Sequence, residues 1–414
     1  MRIKRIELTN FKSFKELKVD LGKFNVLIGA NASGKSNFIQ VFKFLRDITT
    51  HGLENAISMQ GGVEYLRNIN IGASKDFTLK VISDDKFAFA RNKKKSLIGI
   101  KIYETIYEFV LKFYKRRLGF KISKDNLIYK CEFFKLERKN GKIIEKEKIG
   151  EGEIHVLRDA HGKIKINLPK ALPIEEKDIY PPFLREEKLS PTTLLLERAF
   201  FFMPPPELFS DISIYDFDPK LPKKATPITG KAELEEDGSN LSIILKNTLE
   251  NKEKRRKLLN LVKDLLPFIE NLNVEKFADK SLLFKLQEKY FEKEYLPASL
   301  ISDGAINITA LIIALYFERK PITIIEEPER NIHPYLISRV IDMMKDVSEK
   351  KQVIVTTHNP EMVRYAGLDN ILLVLRDEEG FSLVSRPADK EEVKIFLQND
   401  IGIEELYVQN LLEL

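Results

Sequence analysis

The hydrophobic pattern changes along the chain and predicts a different kind of structure in each region. Near the N-terminus, residues 3–8 and 15–20 alternate apolar and polar side chains with the period of two that is typical of a β-strand. Residues 26–28 are wholly apolar, which predicts a buried strand, and apolar residues at helical spacing begin at residue 38. Residues 76–167 consist of strand-like runs separated by charged or glycine-containing turns, which indicates an antiparallel sheet.

The last third of the chain alternates strand-like and helix-like patterns. Such alternation predicts an α/β fold, because parallel strands are joined by helical crossovers. The sheet would complete a core begun by residues 24–28. In chain order, the predicted elements are helix 303–317, strand 321–326, helix 334–348, strand 352–357, helix 359–365 and strand 370–375.

These patterns predict a parallel-sheet core that is split between the two ends of the chain, at residues 1–75 and 290–414. Residues 76–167 would form an inserted antiparallel β-lobe, and residues 168–289 an irregular proline-rich segment followed by a helical lobe, with helical spacing over 240–269. The strand-like runs of the β-lobe are residues 77–82, 97–103, 107–113, 127–134 and 143–149.

A phosphate-binding motif, Gly29-x-x-x-x-Gly34-Lys35-Ser36, lies between the predicted buried strand and the helix that follows it. Its glycines let backbone N–H groups approach an anion, and the helix start points its positive dipole end at the same charge. Lys35 is expected to bridge the outer phosphates of ATP, and the Ser36 hydroxyl to hold Mg²⁺. The residues assigned to the nucleotide are Gly29, Ala30, Asn31, Ala32, Ser33, Gly34, Lys35, Ser36 and Asn37.

Composition and charge narrow the class of protein only slightly. The 414 residues are 43% hydrophobic and 31% charged, which is typical of a globular chain, and the formal charge of +6 permits an acidic partner without requiring one. The single cysteine, Cys131, excludes an internal disulfide and suits a reducing compartment. No stretch is apolar for 18 residues and no signal-peptide core is present, so we expect a cytoplasmic protein without a membrane partner. Abundant lysine and glutamate without tryptophan resemble the composition of thermophile proteins.

Polar side chains stand at the ends of two predicted buried strands in the last third of the chain. Glu326 and Glu327 end one strand, and His358 follows the next one after Thr-Thr. The carboxyl ends of parallel strands open into the ligand crevice of such sheets. We therefore expect Glu326 to hold Mg²⁺, Glu327 to orient or deprotonate the attacking water, and His358 to sense the γ-phosphate.

A Ser302-Asp303-Gly304 sequence caps a strongly apolar predicted helix upstream of the acidic strand. The order of phosphate loop, capped helix, acidic strand and Thr-Thr-His resembles that of ABC-type ATPase heads. The chain is similar to their RecF/SMC-like branch, and in particular to stand-alone ATPases related to the head of the overcoming-lysogenisation-defect (OLD) nucleases. The resemblance is carried by residues 10–14, 29–37, 237–241, 301–304, 326–329, 333–334 and 356–360.

The resemblance implies a homodimer in which two heads enclose two ATP molecules. Ser302, Asp303 and Gly304 would then form a signature that meets the γ-phosphate held by the other subunit, and Lys12 would contact the nucleotide. OLD nucleases continue into a Toprim domain, but only 56 residues (414 − 358) follow His358 here. That length is short for a domain, so no built-in nuclease is expected.

Two uses for such an ATPase, with slow turnover, stay open at this point. In one, the dimer acts on DNA in genome maintenance or phage defence, with residues 91–95, 115–117 and 252–257 as candidate basic contacts. In the other, it is a nucleotide-gated switch or scaffold that controls a separate effector protein, a toxin or a nuclease, and the inserted β-lobe is the partner surface.

Overall fold

The structure, a computed structural model, describes residues 2–84, 87–93, 96–139, 141–169, 175, 188–197, 207–277, 280–291, 294–398 and 401–413. Much of the predicted proline-rich segment, at residues 170–174, 176–187 and 198–206, lies outside these ranges. No helix among the described residues is long and apolar enough to cross a membrane.

Strands and helices occur throughout the described chain. The strands are β1 (Arg2–Phe11), β2 (Phe14–Asp20), β3 (Phe24–Ile28), β4 (Phe77–Asp84), β5 (Phe87–Lys93), β6 (Ser96–Phe113), β7 (Phe120–Lys139), β8 (Lys142–Arg158), β9 (Ile164–Asn167), β10 (Ile212–Tyr215), β11 (Thr226–Pro227), β12 (Ile269–Phe277), β13 (Ser281–Glu288), β14 (Leu296–Pro297), β15 (Ile322–Glu326), β16 (Gln352–Thr356), β17 (Ile371–Arg376) and β18 (Ser382–Ser385). The α-helices are α1 (Lys35–His51), α2 (Leu53–Met59), α3 (Val63–Leu66), α4 (Glu207–Ser210), α5 (Leu241–Glu250), α6 (Lys252–Leu265), α7 (Asp303–Tyr316), α8 (Pro334–Ser348), α9 (Pro360–Ala366), α10 (Glu391–Gln398) and α11 (Ile403–Val408).

The chain divides into two compact units. The first contains Met1–Gly22, Ser36–Ile212 and Leu375–Val384, and the second contains Lys23–Lys35, Ser213–Val374 and Ser385–Leu414. This division differs from the predicted boundaries, because β1 and β2 join the antiparallel sheet of the first unit instead of the parallel core. Backbone hydrogen bonding explains the difference, since β1 pairs with β4 along most of its length.

The first unit is built on one antiparallel sheet with the order β2-β1-β4-β6-β7-β8-β9, and β5 pairs with β6. Four phenylalanine rings fill its core where α1 meets β1, β4 and β6. The ring centroid of Phe44 lies 6.1 Å from that of Phe11 and 5.9 Å from that of Phe77, and Phe77 is 5.6 Å from Phe109. Buried aromatic side chains of this size contribute much of the apolar area that stabilises a core.

Strand β6 corrects one prediction. Residues 97–103 and 107–113 are one continuous strand and not two, with a β-bulge between Ile102 and Glu104. The polar residues between the two runs do not form a turn because Glu104 is paired across the sheet, with Lys4 at 3.2 Å and Lys130 at 2.7 Å. The bulge accommodates the extra residue and keeps the strand in the ladder.

The second unit contains the predicted parallel sheet, in the order β10-β15-β16-β3-β17. Strand β15 pairs in parallel with β16, β16 with β3, and β3 with β17. The prediction of an α/β core that takes strands from both ends of the chain is therefore confirmed. A smaller sheet, formed by β11, β13, β12 and β14, lies in the same unit.

Helical spacing over residues 240–269 resolves into two helices, α5 and α6. The break falls at Asn251, whose side chain accepts hydrogen bonds from the N–H groups of Glu253 at 3.1 Å and Lys254 at 3.0 Å. Asparagine is a favoured N-cap, so the second helix begins where its first N–H groups are satisfied.

Asp125 is a buried carboxyl group within the first unit. It accepts hydrogen bonds from the Tyr107 hydroxyl at 2.9 Å and from the Leu195 N–H at 2.7 Å. Burial raises the pKa of Asp125 to about 7, although these hydrogen bonds and the charge of Arg158 oppose the shift. The folded chain therefore retains a proton on Asp125 at pH values where the unfolded chain has lost it.

We predict that Asp125→Asn changes how stability depends on pH. Because the pKa of Asp125 is raised by folding, the wild-type protein loses stability as pH rises from about 4 towards about 7, and the neutral amide removes that loss. The free energy of unfolding of the variant, relative to wild type, should rise across this window by up to about 4 kcal/mol. Urea unfolding at a series of pH values measures it, and parallel profiles for the two proteins would contradict the prediction.

Candidate functional site

The phosphate loop spans the residues between the end of β3 and the start of α1, as its motif requires. Its backbone enters conformations that favour glycine: Gly29 has φ of 148° and Gly34 has φ of 119°. A Cβ atom at Gly29 would overlap the carbonyl oxygen of Val374 on β17. Ala32 also has a positive φ, of 62°, so this non-glycine residue holds a left-handed conformation within the loop. The loop is thus shaped by its backbone and by its packing on β17.

Lys35 lies at the first position of α1 with its charge directed at the loop itself. Its Nζ donates hydrogen bonds to the carbonyl oxygens of Gly29 at 2.8 Å and Ala30 at 3.0 Å. Burial lowers the pKa of Lys35, and the negative charge of Glu327 partly opposes that shift. An anion would be a stronger partner for this half-buried ammonium group than neutral carbonyl oxygens are, so the surroundings of Lys35 fit a phosphate group.

The structure brings two of the predicted catalytic residues together. Glu326 ends β15 in register with Thr356, and Glu327 follows it with a φ of 45°. The Nδ1 atom of His358 lies 3.0 Å from Oε1 of Glu327. The Glu327 N–H also donates to the carbonyl oxygen of Thr356 at 2.9 Å, which fixes the start of the acidic loop against β16.

An arginine that the sequence reasoning missed holds the other oxygen of Glu327. Arg330 donates to Glu327 Oε2 at 3.1 Å and to the carboxylate of Asp216 at 3.0 Å. Glu327 and Arg330 are the two ends of one turn, because the Arg330 N–H donates to the Glu327 carbonyl oxygen at 3.0 Å, and a turn predicted after the strand could have indicated this contact. Asp216 could not be foreseen, because it lies more than a hundred residues away in the chain.

The predicted signature begins helix α7. Ser302 is its N-cap and accepts a hydrogen bond from the Ala305 N–H at 3.3 Å, and Asp303 forms an ion pair with Lys223 at 2.5 Å. A Cβ atom at Gly304 would lie 2.6 Å from the carbonyl oxygen of Asn331, so close packing requires glycine at this position. Among the described residues, no hydrogen bond or ion pair joins Ser302, Asp303 or Gly304 to Lys35, Glu327 or His358.

A cavity of about 430 Å³ lies in the first unit. Its walls include Lys12 and Asn37, both predicted to contact the nucleotide, and also Arg67 and Arg376, which the sequence reasoning did not single out. The Asn37 amide donates to the hydroxyl of Ser13 at 2.8 Å, and burial lowers the pKa of Lys12. A cavity of this volume with three cationic side chains in its wall fits an anionic small molecule.

A family model described as "AAA domain, putative AbiEii toxin, Type IV TA system" matches residues 24–364, a range that includes the phosphate loop, the acidic strand and His358. The chain belongs to this family. The predicted resemblance to RecF/SMC-like ABC-type ATPases and the predicted P-loop α/β fold are confirmed by this match together with the parallel sheet.

Curated relatives match this AAA-family chain only over short stretches. It is 39% identical over 64 residues to the chromosome partition protein Smc of Methanocaldococcus jannaschii, a match that covers 15% of this chain and 6% of Smc. It is 40% identical over 52 residues to the DNA replication and repair protein RecF of Lactococcus lactis subsp. lactis, which covers 12% of this chain and 14% of RecF. The matched stretches therefore span a small fraction of either relative.

A comparison with solved structures finds an Smc head domain with an extended coiled coil, bound to the C-terminal domain of ScpA and derived from Pyrococcus furiosus. The AAA-family chain aligns with it at a TM-score of 0.47 and 16% identity, over 96% of this chain and 99% of that one.

Proposed function

We propose that the protein binds ATP with Mg²⁺ and hydrolyses it at the phosphate loop. The observation that carries this proposal is the contact between Glu327 and His358 at the carboxyl ends of two parallel strands. Strand β3, which leads into the phosphate loop, pairs with the strand that precedes His358. Neighbouring parallel strands open at one edge of a sheet, where α/β proteins bind their ligands.

Each residue has a role that suits its chemistry. Lys35 and the backbone N–H groups of the loop would bind the outer phosphates. The Ser36 hydroxyl and the Glu326 carboxylate are the hard oxygen ligands that Mg²⁺ prefers, and the bound ion would neutralise phosphate charge. Glu327, held by His358 and Arg330, would orient or deprotonate the attacking water, and His358 would contact the γ-phosphate.

Lys12 is the proposed contact outside the loop. It lines the cationic cavity of the first unit together with Asn37, which directly follows the loop motif. The volume of this cavity and the charges of Lys12, Arg67 and Arg376 in its wall suit an anionic small molecule.

The proposal includes a homodimer that closes on ATP. The signature at Ser302–Gly304 has hydrogen bonds and ion pairs within its own neighbourhood, to Ala305 and Lys223, and none to the catalytic pair among the described residues. The α7 N-terminus would then meet the phosphates held by a second copy, because a helix start attracts anions.

Lys35→Ala should abolish ATP binding. The substitution deletes the charge that bridges the outer phosphates, whereas the loop backbone is set by its glycines and by Val374. Isothermal titration measures affinity, and circular dichroism checks that the variant is folded. Lys350→Ala, which changes an exposed lysine after α8, is the matched control and should bind as wild type does. Near-normal ATP affinity in folded Lys35→Ala would exclude this site.

Glu327→Gln should bind ATP but hydrolyse it at least about a hundredfold more slowly, because the amide cannot accept the proton of water. The ATP-bound dimer should then accumulate, which light scattering reports as a doubling of mass. Glu318→Gln changes a partly buried carboxyl whose oxygen accepts from the Leu234 N–H, and it serves as the control. An unchanged mass with and without ATP would contradict closure driven by ATP.

We propose that the protein uses ATP hydrolysis to act on DNA. Two relatives are named for chromosome partition and for DNA replication and repair. Helix α6 exposes a run of basic residues, and Lys94 and Lys95, which were also predicted contacts, lie outside the described residues. The alternative is a nucleotide-gated switch that controls a separate effector, and the toxin–antitoxin wording of the family description supports it.

We expect Glu327→Gln to bind duplex DNA more tightly with ATP than without it, and less tightly as salt rises, because phosphate contacts release counterions. Fluorescence anisotropy measures the affinity. Adding Lys254→Glu and Arg256→Glu on α6 should weaken it, whereas Lys142→Glu and Lys146→Glu on the exposed part of β8 serve as a charge-matched control. If the DNA affinity depends neither on ATP nor on the charges of α6, the result would favour the effector switch.

A further inference from the structure

Glu329 points its carboxyl group into the protein, although it lies in the loop that also carries Glu327. Only 8% of the residue is exposed. Its Oε1 atom accepts a hydrogen bond from the hydroxyl of Thr357 at 2.5 Å, while Oε2 has no hydrogen-bond partner among the described residues. Burial raises the pKa of Glu329, and the charge of Glu327 adds to the shift.

This environment of the Glu329 carboxyl group destabilises the folded protein. The Oε2 atom has lost its hydration without a hydrogen bond among the described residues to replace it, and burying a polar atom in this way destabilises the fold. An apolar side chain of similar size would avoid that cost. Stability alone therefore does not explain a glutamate at this position.

The Thr357 hydroxyl connects Glu329 to the loop that carries His358. It donates to Glu329 and accepts from the Asn359 N–H at 2.9 Å. A hydroxyl has a single proton, so donation to Glu329 leaves its lone pairs directed at the Asn359 N–H. Through the Thr357 hydroxyl, one carboxyl group thus reaches the residues on both sides of His358, in addition to the bond from the Thr357 N–H to the Leu27 carbonyl oxygen at 2.9 Å.

Few contacts hold the side chain of His358 within the part of the chain that the structure describes. Its side chain is 53% exposed, and its contact is with Glu327. The backbone on either side therefore determines where the imidazole lies. We propose that Glu329 is a positioning residue for His358, and that it acts through Thr357 to join the loop after β15 to the loop after β16. Its effect on turnover rests on the ATPase function proposed above.

Three variants test this proposal. Glu329→Leu keeps the approximate size of the side chain and removes the acceptor. Thr357→Val removes the same hydrogen bond from the other side, and the double variant combines them. Thr248→Val is the matched control, because Thr248 is also buried and its hydroxyl donates to a backbone carbonyl oxygen, that of Ile244 at 2.8 Å.

Steady-state kinetics provides the first measurement. We expect each single variant to lower kcat for ATP at least about tenfold with KM within about twofold, because His358 acts on the γ-phosphate during reaction and contributes less to ground-state binding. The double variant should be no slower than the slower single variant, since both substitutions remove the same hydrogen bond. Glu329→Gln, whose amide oxygen can still accept from Thr357, should recover most of the rate.

Hydrogen exchange provides the second measurement and requires no ATP. Residues 357–361 should exchange faster in Glu329→Leu and in Thr357→Val, while peptides from β3 and α5 keep wild-type rates. Normal exchange at 357–361, or additive losses of kcat in the double variant, would overturn the proposal. If wild type fails to hydrolyse ATP, the proposed function fails, and the exchange measurement still decides the role of Glu329. If Glu329→Leu does not fold, Thr357→Val tests the same hydrogen bond.

Discussion

The candidate site depends on the register of three parallel strands. Glu326 on β15 is level with Thr356 on β16, and Thr356 is level with Leu27 on β3. The acidic loop and the histidine loop therefore leave the sheet at the same level, and the phosphate loop leaves it one residue later, after Ile28. A shift of one residue in any pair would turn that strand's side chains to the opposite face and move the loop that follows. Backbone hydrogen bonding thus brings together groups that are hundreds of residues apart in the chain.

Glu327 is held in an uncommon conformation by contacts from three directions. A non-glycine residue with φ of 45° is strained, and such conformations persist where the surroundings impose them. Its N–H is bonded to β16, one carboxylate oxygen contacts His358, and the other accepts from Arg330. Asp216 also accepts from Arg330, so the guanidinium group is shared between two carboxylates. The result is a carboxylate whose position and orientation are both restricted, as preorganised catalysis requires.

Some of the predicted elements depend only on residues that are neighbours in the chain, and short-range interactions explain why they form. The buried strand before Gly29 and the helix after Ser36 follow from the spacing of apolar residues. Ser302 caps its helix because a hydroxyl before an apolar helical run satisfies a free N–H group. The prediction of two strands within residues 97–113 was wrong because it depended on long-range contacts. Glu104 pairs with Lys4 and Lys130 of other strands, so a polar residue lies inside one continuous strand.

The sequence by itself determined the fold class, the parallel core taken from both chain ends, and the membership in an ATPase family that the phosphate loop indicated. These depend on periodicity and on motifs whose residues are neighbours in the chain. Only the tertiary structure decided which distant groups meet: Asp216 with Arg330, Thr357 with Glu329, and Arg376 with Lys12 around one cavity. Such contacts depend on how the strands pair and where the loops lie in the folded chain. The type of a residue does not by itself indicate which distant residue it will contact.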